Sequence, residues 1–307
     1  MVSVKEIASF KNFGKCLEIS NGRLVLYVTI DIGPRIIYCS LDGSPNLMLE
    51  DVERKNQKDV SSLFGPDKYW YIYGGHRLWF SPEEYPKTYY PDNEKVVYTL
   101  TETGCVLNPP TQLVTGLKYT ITISVHPEEP VVTINHVTTN TTSEEVTGAS
   151  WALTAMRSGG TTIVPQTTTD TVLLPNRSIV FWPYTDINDY RLKLGNKYVV
   201  IKQDPANSHP IKLGFTNTEG KVVYVNGSVA CSVSYGTSYE DGSEYPDYGS
   251  SCEVYECDYF TEVETLSPLK VLPEGASISH TEKWKFASGV NLDSTDDETL
   301  DELFKLV

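Results

Sequence analysis

Aromatic and charged side chains suited to binding a polar ligand are concentrated between residues 73 and 93. His76, Arg77, Trp79 and Asp92 lie there among several tyrosines. An aromatic ring offers a flat apolar face to the C–H side of a pyranose, and charged side chains bind its hydroxyl groups. The two glycines before His76 permit a tight turn or the close approach of a ligand. The stretch therefore predicts a sugar-binding pocket on a loop between strands, with an ordinary surface loop as the alternative.

Two further segments carry residues of the same kind. Residues 180–189 contain Trp182, a possible stacking platform, and Asp186, a possible hydroxyl acceptor; a packed tryptophan followed by a turn is the alternative. Glu253 alternates with Tyr255 on a predicted strand, so both side chains point to one side. Partial burial beside aromatic rings would raise the pKa of the Glu253 carboxyl toward the range of a general base. The alternative is a solvated strand glutamate.

Two histidines are the candidate proton donors. His76 adjoins Arg77, and that positive charge favours a neutral imidazole, which still binds hydroxyl groups. His136 shares a strand face with Ile134, so it either lines the pocket or is a satisfied residue inside the sheet.

Glu264 is a further candidate on a predicted strand, where it points to the same side as Glu262. Phe260 and Leu266 flank it on that face, which makes a carboxylate there unusual. A carboxylate buried there needs a partner. Arg35 or Arg77 is the expected one.

The elements that must position these residues are short strands rich in Val, Thr and aromatic side chains, with few helical patterns between them. This arrangement is typical of an antiparallel sandwich or barrel, and it predicts one all-β domain over residues 1–307. The predicted strands are 24–30, 35–41, 95–101, 113–116, 117–125, 131–139, 146–156, 161–165, 178–183, 198–203, 212–217, 221–226, 229–235, 253–259, 260–266 and 277–286.

Residues 50–72 and 238–251 are expected to be irregular, the second as a long and functional loop. A short C-terminal helix is predicted after Ser294, which forms a capping-box pattern with Asp297. Its apolar stripe would dock on the sheet. The stripe consists of Leu300, Leu303, Phe304 and Val307.

The composition restricts the partners. The 307 residues include 25 basic and 40 acidic side chains, a net charge of -15, which argues against nucleic acid and anionic membranes.

The N-terminus lacks the apolar core of a signal peptide, and no apolar run could span a bilayer. The six scattered cysteines indicate free thiols in a reducing cytoplasm. No residue cluster has metal-site spacing, so neither metal nor cofactor is expected. The expected partner is a small carbohydrate, and the oligomeric state stays open.

Three segments resemble the galactose mutarotase-like superfamily, which includes the aldose 1-epimerases. They are Gly33-Pro-Arg-Ile-Ile, Gly74-Gly-His-Arg-Leu-Trp, and Ser251-Cys-Glu-Val-Tyr with the return strand that follows it. The chain is most similar to bacterial members of unassigned function. The resemblance implies a large antiparallel β-supersandwich and cofactor-free epimerisation of a sugar.

The resemblance also implies roles for particular residues. Arg77 would bind sugar hydroxyls and Glu253 would be the general base, on two segments that converge on one concave hollow. His76 stands where the family usually has Asn. The segment nearest to the family's catalytic histidine contains Trp151 and no histidine, and the family's His-Gly-Gly motif is absent.

Three functions stay open at this point. The first is a cofactor-free aldose 1-epimerase or related sugar epimerase, with Glu253 as base and His76 as acid. The second is a non-catalytic carbohydrate-binding protein on the same scaffold. The third, a lyase or hydrolase, would need a second carboxylate facing Glu253.

Overall fold

The structure is a computed structural model that describes residues 1–236, 239–240 and 242–307. Within these residues the chain forms antiparallel strands and a few short helices. The strands are β1 (Ser3–Ile7), β2 (Cys16–Ser20), β3 (Leu24–Thr29), β4 (Ile36–Leu41), β5 (Gln57–Asp59), β6 (Tyr69–Tyr71), β7 (Gly75–Ser81), β8 (Val97–Leu100), β9 (Gly104–Asn108), β10 (Leu117–Val125), β11 (Val131–Asn140), β12 (Val146–Arg157), β13 (Thr161–Pro165), β14 (Ile179–Phe181), β15 (Leu192–Leu194), β16 (Tyr198–Lys202), β17 (Ile211–Phe215), β18 (Lys221–Asn226), β19 (Val229–Tyr235), β20 (Cys252–Glu256), β21 (Phe260–Leu266), β22 (Lys270–Leu272) and β23 (Ser277–Ser288). The helices are α1 (Ser61–Phe64), α2 (Pro246–Gly249) and α3 (Asp297–Leu306).

Two large sheets contain all the described strands except β5 and β6, which pair with each other. The first sheet has the strand order β1-β2-β3-β4-β7-β12-β21-β20-β17-β14, with β22 paired to β12, and the second has the order β15-β16-β13-β18-β19-β23-β11-β10-β9-β8. The main apolar core contains residues of both sheets, so the sheets face each other across it. Strand β23 illustrates this arrangement. Its residues alternate between buried and exposed along nearly its whole length, so one face of the strand packs on the core. The prediction of an antiparallel all-β sandwich is confirmed.

The first sheet is also covered on its outward face. Every residue of β21 is buried, although only alternate ones face the core. The β5–β6 hairpin supplies the cover, since Trp70 belongs to the same apolar cluster as Trp79, Trp151 and Phe260. Burial on both faces explains why the centre of this sheet lacks the simple polar–apolar alternation of a half-exposed strand.

The aromatic segment predicted as a loop forms a central strand instead. β7 covers Gly75–Ser81 and lies between β4 and β12. Gly75 has φ +61°, and a Cβ atom there would lie 2.0 Å from the backbone oxygen of Ile36. The glycine therefore allows β4 to approach β7 closely, rather than making room for a ligand.

Most other predicted strands are confirmed, and β10, β13, β18, β19 and β21 have the predicted bounds. Residues 113–116 are a turn between Gln112 and Leu117, so the strand predicted there is wrong. The segment 50–72, predicted to be irregular, contains α1, β5 and β6. The unpredicted strands are β1, β2, β5, β6, β7, β9, β15 and β22.

The C-terminal helix α3 is confirmed, but its cap is Asp296 instead of Ser294. The Asp296 carboxylate accepts a hydrogen bond from the Thr299 N–H at 2.8 Å. Leu300 and Leu303 are buried in an apolar cluster with residues of β13, β16 and β18.

Two positions of the long loop at 238–251, Ser238 and Asp241, lie outside the described residues; its remainder includes α2. The six cysteines, all among the described residues, are free thiols. None of the described helices has the length and apolarity needed to cross a membrane.

Candidate functional site

Five neighbouring strands of the first sheet bring distant residues into one row. Arg77 on β7 lies opposite Leu153 on β12, which lies opposite Glu264 on β21. Glu264 lies opposite Glu253 on β20, and Glu253 opposite Gly214 on β17. Directly opposed residues of an antiparallel sheet point to the same face. Arg77 and Glu253 therefore share the outward face of one sheet.

A cleft of about 370 Å³ opens on this face. Strands β7, β12, β21 and β17 form its floor, while the β5–β6 hairpin and the segment after β7 form its walls. Its volume falls within the roughly 300–1,000 Å³ range of small-molecule sites. The lining residues are Lys55, Asn56, Gln57, Lys58, Trp70, Ile72, Arg77, Trp79, Glu83, Tyr89, Trp151, Leu153, Tyr184, Lys212, Tyr255, Phe260, Glu262 and Glu264.

Arg77 is held on the cleft floor by an ion pair and by tryptophans. Its Nη1 atom donates to Oε1 of Glu262 at 2.6 Å. Its guanidinium carbon lies 4.3 Å from the ring centroid of Trp79 and 5.5 Å from that of Trp70. A guanidinium over an indole face is attracted by the ring quadrupole. These contacts fix a charged pair beside flat aromatic surfaces.

Lys212 forms the second charged centre. Its Nζ atom lies 2.8 Å from Oε2 of Glu253 and 3.1 Å from Oε2 of Glu264. The ammonium is also 4.8 Å from the ring centroids of both Trp151 and Trp182. Trp151 Nε1 donates to the same Glu264 oxygen at 2.8 Å. Lys212 thus links two carboxylates to two indole rings.

Burial changes the proton affinity of this second centre. Burial alone would lower the pKa of Lys212, but the charges of Glu264 and Glu253 raise that pKa well above its usual value. Burial also raises the pKa of Glu253 well above its usual range and raises the pKa of Glu264, against the opposing charge of Lys212. The cluster therefore holds an ammonium next to carboxyl groups that take up a proton more readily than usual.

Three side chains that line the cleft have a buried polar atom without a hydrogen-bond partner among the described residues. These atoms are Nε1 of Trp70, Nε of Arg77 and Oε1 of Glu264. A buried polar atom left unpaired costs about 1–3 kcal/mol. All three are shielded from solvent, so they lie beneath the surface of the cleft.

The structure assembles several of the predicted site residues and separates the others. Arg77, Trp79, Trp151 and Glu264 line the cleft. Trp182 lines an adjoining cavity. Glu253 is fully buried behind Lys212 and lines neither space.

His76 and His136 lie on the other side of the first sheet, and the prediction that they join Arg77 in the pocket is wrong. His76 precedes Arg77 on β7, and consecutive strand residues face opposite ways. The Nε2 atoms of the two histidines are 2.8 Å apart between the sheets, and Nδ1 of His76 is 2.9 Å from Oγ1 of Thr154. Burial lowers the pKa of His76 well below its usual value and that of His136 to about 4.

The two predicted aspartates also lie elsewhere. Asp92 accepts hydrogen bonds from Arg35 at 2.6 and 3.1 Å and lines a separate cavity of about 30 Å³. Asp186 is exposed and accepts a hydrogen bond from the Asn188 N–H at 2.9 Å, so the turn interpretation holds there.

The partner predicted for Glu264 is wrong as well. Its cation is Lys212, whereas Arg77 pairs with Glu262. Glu264 does face Glu253 across β20 and β21, as a hydrolase or lyase would require of a second carboxylate. Both carboxylates contact one ammonium, and Glu253 does not line the cleft, so this pair cannot flank a glycosidic bond.

Sequence reasoning missed Lys212 and did not select Glu262. One signal for Lys212 was present, because it is the single charged residue of the otherwise apolar strand β17. A charge buried in such a strand needs a partner of opposite sign. Among the described residues, no group of three or more His, Cys, Asp or Glu side chains is arranged to hold a metal ion.

Comparison with known proteins identifies the fold. No protein-family model matches the sequence, and no curated protein matches it. A galactose mutarotase-like protein from Clostridium acetobutylicum is similar over 94% of this chain and 99% of its own, with 9% identity and a TM-score of 0.54. One from Lactobacillus casei is similar over 89% and 100%, with 9% identity and a TM-score of 0.53. The chain therefore has the galactose mutarotase-like β-sandwich fold.

A third similar structure belongs to a longer protein. A TPR-domain containing protein from Parabacteroides distasonis matches 92% of this chain, with 12% identity and a TM-score of 0.62. The chain spans about half, 49%, of that protein's length.

Proposed function

We propose that this protein binds a carbohydrate in the cleft on the outward face of the first sheet. The observation that carries the proposal is the Arg77–Glu262 ion pair on the cleft floor, held beside the indole of Trp79. A pyranose would rest its C–H face on an indole and pair its hydroxyls with the donors and acceptors of that ion pair. An apolar ligand would cover the ion pair without forming hydrogen bonds to it, at a cost in affinity.

The balance of charge in the cleft also favours a neutral sugar. Arg77 is paired with Glu262, and Lys212 is paired with Glu253 and Glu264. Charged groups that are already paired with each other still offer hydrogen-bond donors and acceptors to hydroxyl groups. Their opposite charges leave no strong electric field of one sign. An anionic ligand would have to compete with these carboxylates for Arg77 and Lys212.

Titration calorimetry with a panel of neutral mono- and oligosaccharides tests the proposal. We expect saturable binding to the wild-type protein, weakened at least tenfold by Trp79→Ala. Tyr98→Ala is the matched control, because Tyr98 lies on β8, at an edge of the second sheet. Absence of binding across the whole panel would refute the proposal.

A second candidate function, cofactor-free epimerisation at the anomeric carbon, is favoured by the different environments of Glu262 and Glu264. Both line the cleft, and they lie two residues apart on β21. Glu262 is ion-paired with Arg77 and would take the proton of the anomeric hydroxyl as base. Glu264, whose pKa is raised by burial, would protonate the ring oxygen as acid. Two carboxyl groups in contrasting environments are a common basis for such a division of roles.

In this scheme Glu253, the base implied by the family resemblance, holds Lys212 in place. Polarimetry and NMR exchange between anomers measure the reaction directly. We expect Glu262→Gln and Glu264→Gln to abolish the rate enhancement while binding persists. If neither substitution changes the rate and Glu253→Gln abolishes it, the base is Glu253. A wild-type protein that binds sugars and leaves the anomeric exchange rate unchanged is a binding protein only.

A further inference from the structure

A second cavity of about 350 Å³ adjoins the cleft. The two spaces share part of their lining, so they are neighbours on the same face of the first sheet. The shared residues are Glu83, Trp151 and Lys212, and the second cavity adds Pro82, Tyr85, Trp182 and Asp247. Each space by itself has the volume of a small-molecule site, which is roughly 300–1,000 Å³.

The junction between the two spaces is built around Lys212. Its ammonium lies 4.8 Å from the Trp151 ring and 4.8 Å from the Trp182 ring, so it sits between the aromatic surfaces of the two spaces. Its Nζ atom donates to Glu264 at 3.1 Å and is ion-paired with Glu253 at 2.8 Å, and an ammonium has three N–H donors in all. The side chain is 7% exposed and lines both spaces, which places its polar head where a ligand would cross from one to the other.

The two spaces have the same kind of lining. The cleft has the indole of Trp79 next to the Arg77–Glu262 pair, and the second cavity has the indole of Trp182 next to Lys212. A repeated arrangement of one aromatic platform with one charged pair suits a ligand that itself consists of repeated units. A single pyranose would occupy one of the two spaces only.

We propose that the ligand is a saccharide of at least two rings, with one ring over Trp79 in the cleft and the next against Trp182 in the second cavity. The linkage between the rings passes Lys212, whose ammonium donates to an oxygen of the linkage or of an adjacent hydroxyl. This inference rests on the proposed carbohydrate binding and names its substrate class. It distinguishes the site from one built for a free aldose.

Calorimetric titration of the intact protein with hexoses, their methyl glycosides, and di- and trisaccharides of the same hexoses tests the inference. We expect the best disaccharide to bind at least tenfold more tightly than its component hexoses, because it contacts both platforms. Trp182→Ala should remove this advantage and leave hexose affinity within twofold of wild type. Trp79→Ala should weaken both kinds of ligand.

Further variants make the outcome decisive. Tyr85→Ala probes the second cavity independently, should Trp182→Ala fold poorly, because Tyr85 is 59% exposed and its loss leaves the core intact. Tyr98→Ala is again the control. If hexoses bind as tightly as every di- and trisaccharide and neither second-cavity variant changes any affinity, the inference is overturned and the proposed function stands. If no saccharide binds, the proposed function itself fails.

Discussion

The Nζ atom of Lys212 lies 2.8 Å from Oε2 of Glu253, and both side chains are almost completely shielded from solvent. Glu264 contacts the same ammonium at 3.1 Å and is equally buried. One cation therefore compensates two carboxyl groups inside the protein. Charges removed from water are tolerated only when they are paired, so the stability of this part of the first sheet depends on Lys212.

Lys212→Met is expected to lower the free energy of unfolding by about 3–5 kcal/mol, because it leaves two buried carboxyl groups without their cation. Methionine keeps most of the volume and the apolar stem of the side chain. Urea-induced unfolding measures the change. A Lys212→Met protein within about 1 kcal/mol of wild type would contradict the assignment.

A triple variant isolates the electrostatic part of this effect. When Glu253→Gln and Glu264→Gln are added to Lys212→Met, no unpaired charge remains. We expect the triple variant to be more stable than Lys212→Met alone, since replacing a whole buried ion cluster is far less costly than breaking it. If the triple variant is the less stable of the two, packing and not charge accounts for the loss.

The buried histidine His136 predicts a pH dependence of stability. Burial lowers the pKa of His136 to about 4, whereas a histidine in the unfolded chain has a pKa of about 6.5. Between these values the unfolded chain binds more protons, so His136 makes the protein less stable as the pH falls from about 6.5 to about 4. One proton corresponds to about 1.4 kcal/mol per pH unit. His136→Gln should therefore lose stability less steeply than wild type over this range.

The neighbouring groups set the control for this experiment. His136 contacts His76 and His280, and Glu282 lies 3.8 Å from His76. Burial raises the pKa of Glu282 from 4.5 to about 7, so its contribution declines as the pH rises through that range, opposite in sign to that of His136. Glu282 is present in both proteins, and only the difference in slope is attributed to His136. An unchanged slope in His136→Gln would contradict the prediction.

A strand could be predicted from the sequence wherever turn residues marked its ends and its own side chains showed a recognisable strand pattern. Strands β10 and β21 are examples, with bounds that agree with the prediction. Strand β7 was missed because its two leading glycines and many aromatic residues resemble a loop. Gly74 is required by the close backbone of Leu49 and Gly75 by that of Ile36, and neither contact leaves a local trace in the sequence.

The same limit applies to the site. Arg77 and Trp79 were recognisable from their types, but the partners of buried charges depend on strand order. Lys212 meets Glu253 and Glu264 only because β17, β20 and β21 are neighbours in the sheet. The misplacement of His76 follows from the loop assignment, since a strand assignment would have put it opposite to Arg77.

Arg77→Lys tests whether geometry or charge alone matters in the cleft. Lysine keeps the positive charge but loses the planar fork and its stacking on Trp79. We expect saccharide affinity to fall about tenfold or more, measured by calorimetry, with the folded structure retained. Lys58→Arg, on the exposed rim of the cleft, is the matched exchange and should have little effect. Equal affinities for Arg77→Lys and wild type would show that only the charge is used.

The close approach of β4 and β7 predicts that Gly75 cannot be replaced. An alanine Cβ would lie 2.0 Å from the backbone oxygen of Ile36 and 2.8 Å from its carbonyl carbon, and a paired strand cannot withdraw without breaking its hydrogen bonds. The overlap adds to the cost of about 1–2 kcal/mol for a left-handed backbone conformation with a side chain. We expect Gly75→Ala to lower the free energy of unfolding, measured with urea, by roughly 3–5 kcal/mol.

Gly43→Ala separates the two contributions. Gly43 has a similar backbone conformation, with φ +76°, but no atom of the described residues lies within 4 Å of a Cβ placed there. Gly43→Ala should lower the free energy of unfolding only by the cost of the left-handed backbone conformation, about 1–2 kcal/mol. Because the two glycines differ mainly in the space around them, the excess loss at Gly75 measures the contact between β4 and β7. Equal losses in the two variants would mean that the strands separate easily, and that the cleft floor next to Arg77 is less rigidly held than the ion pairs indicate.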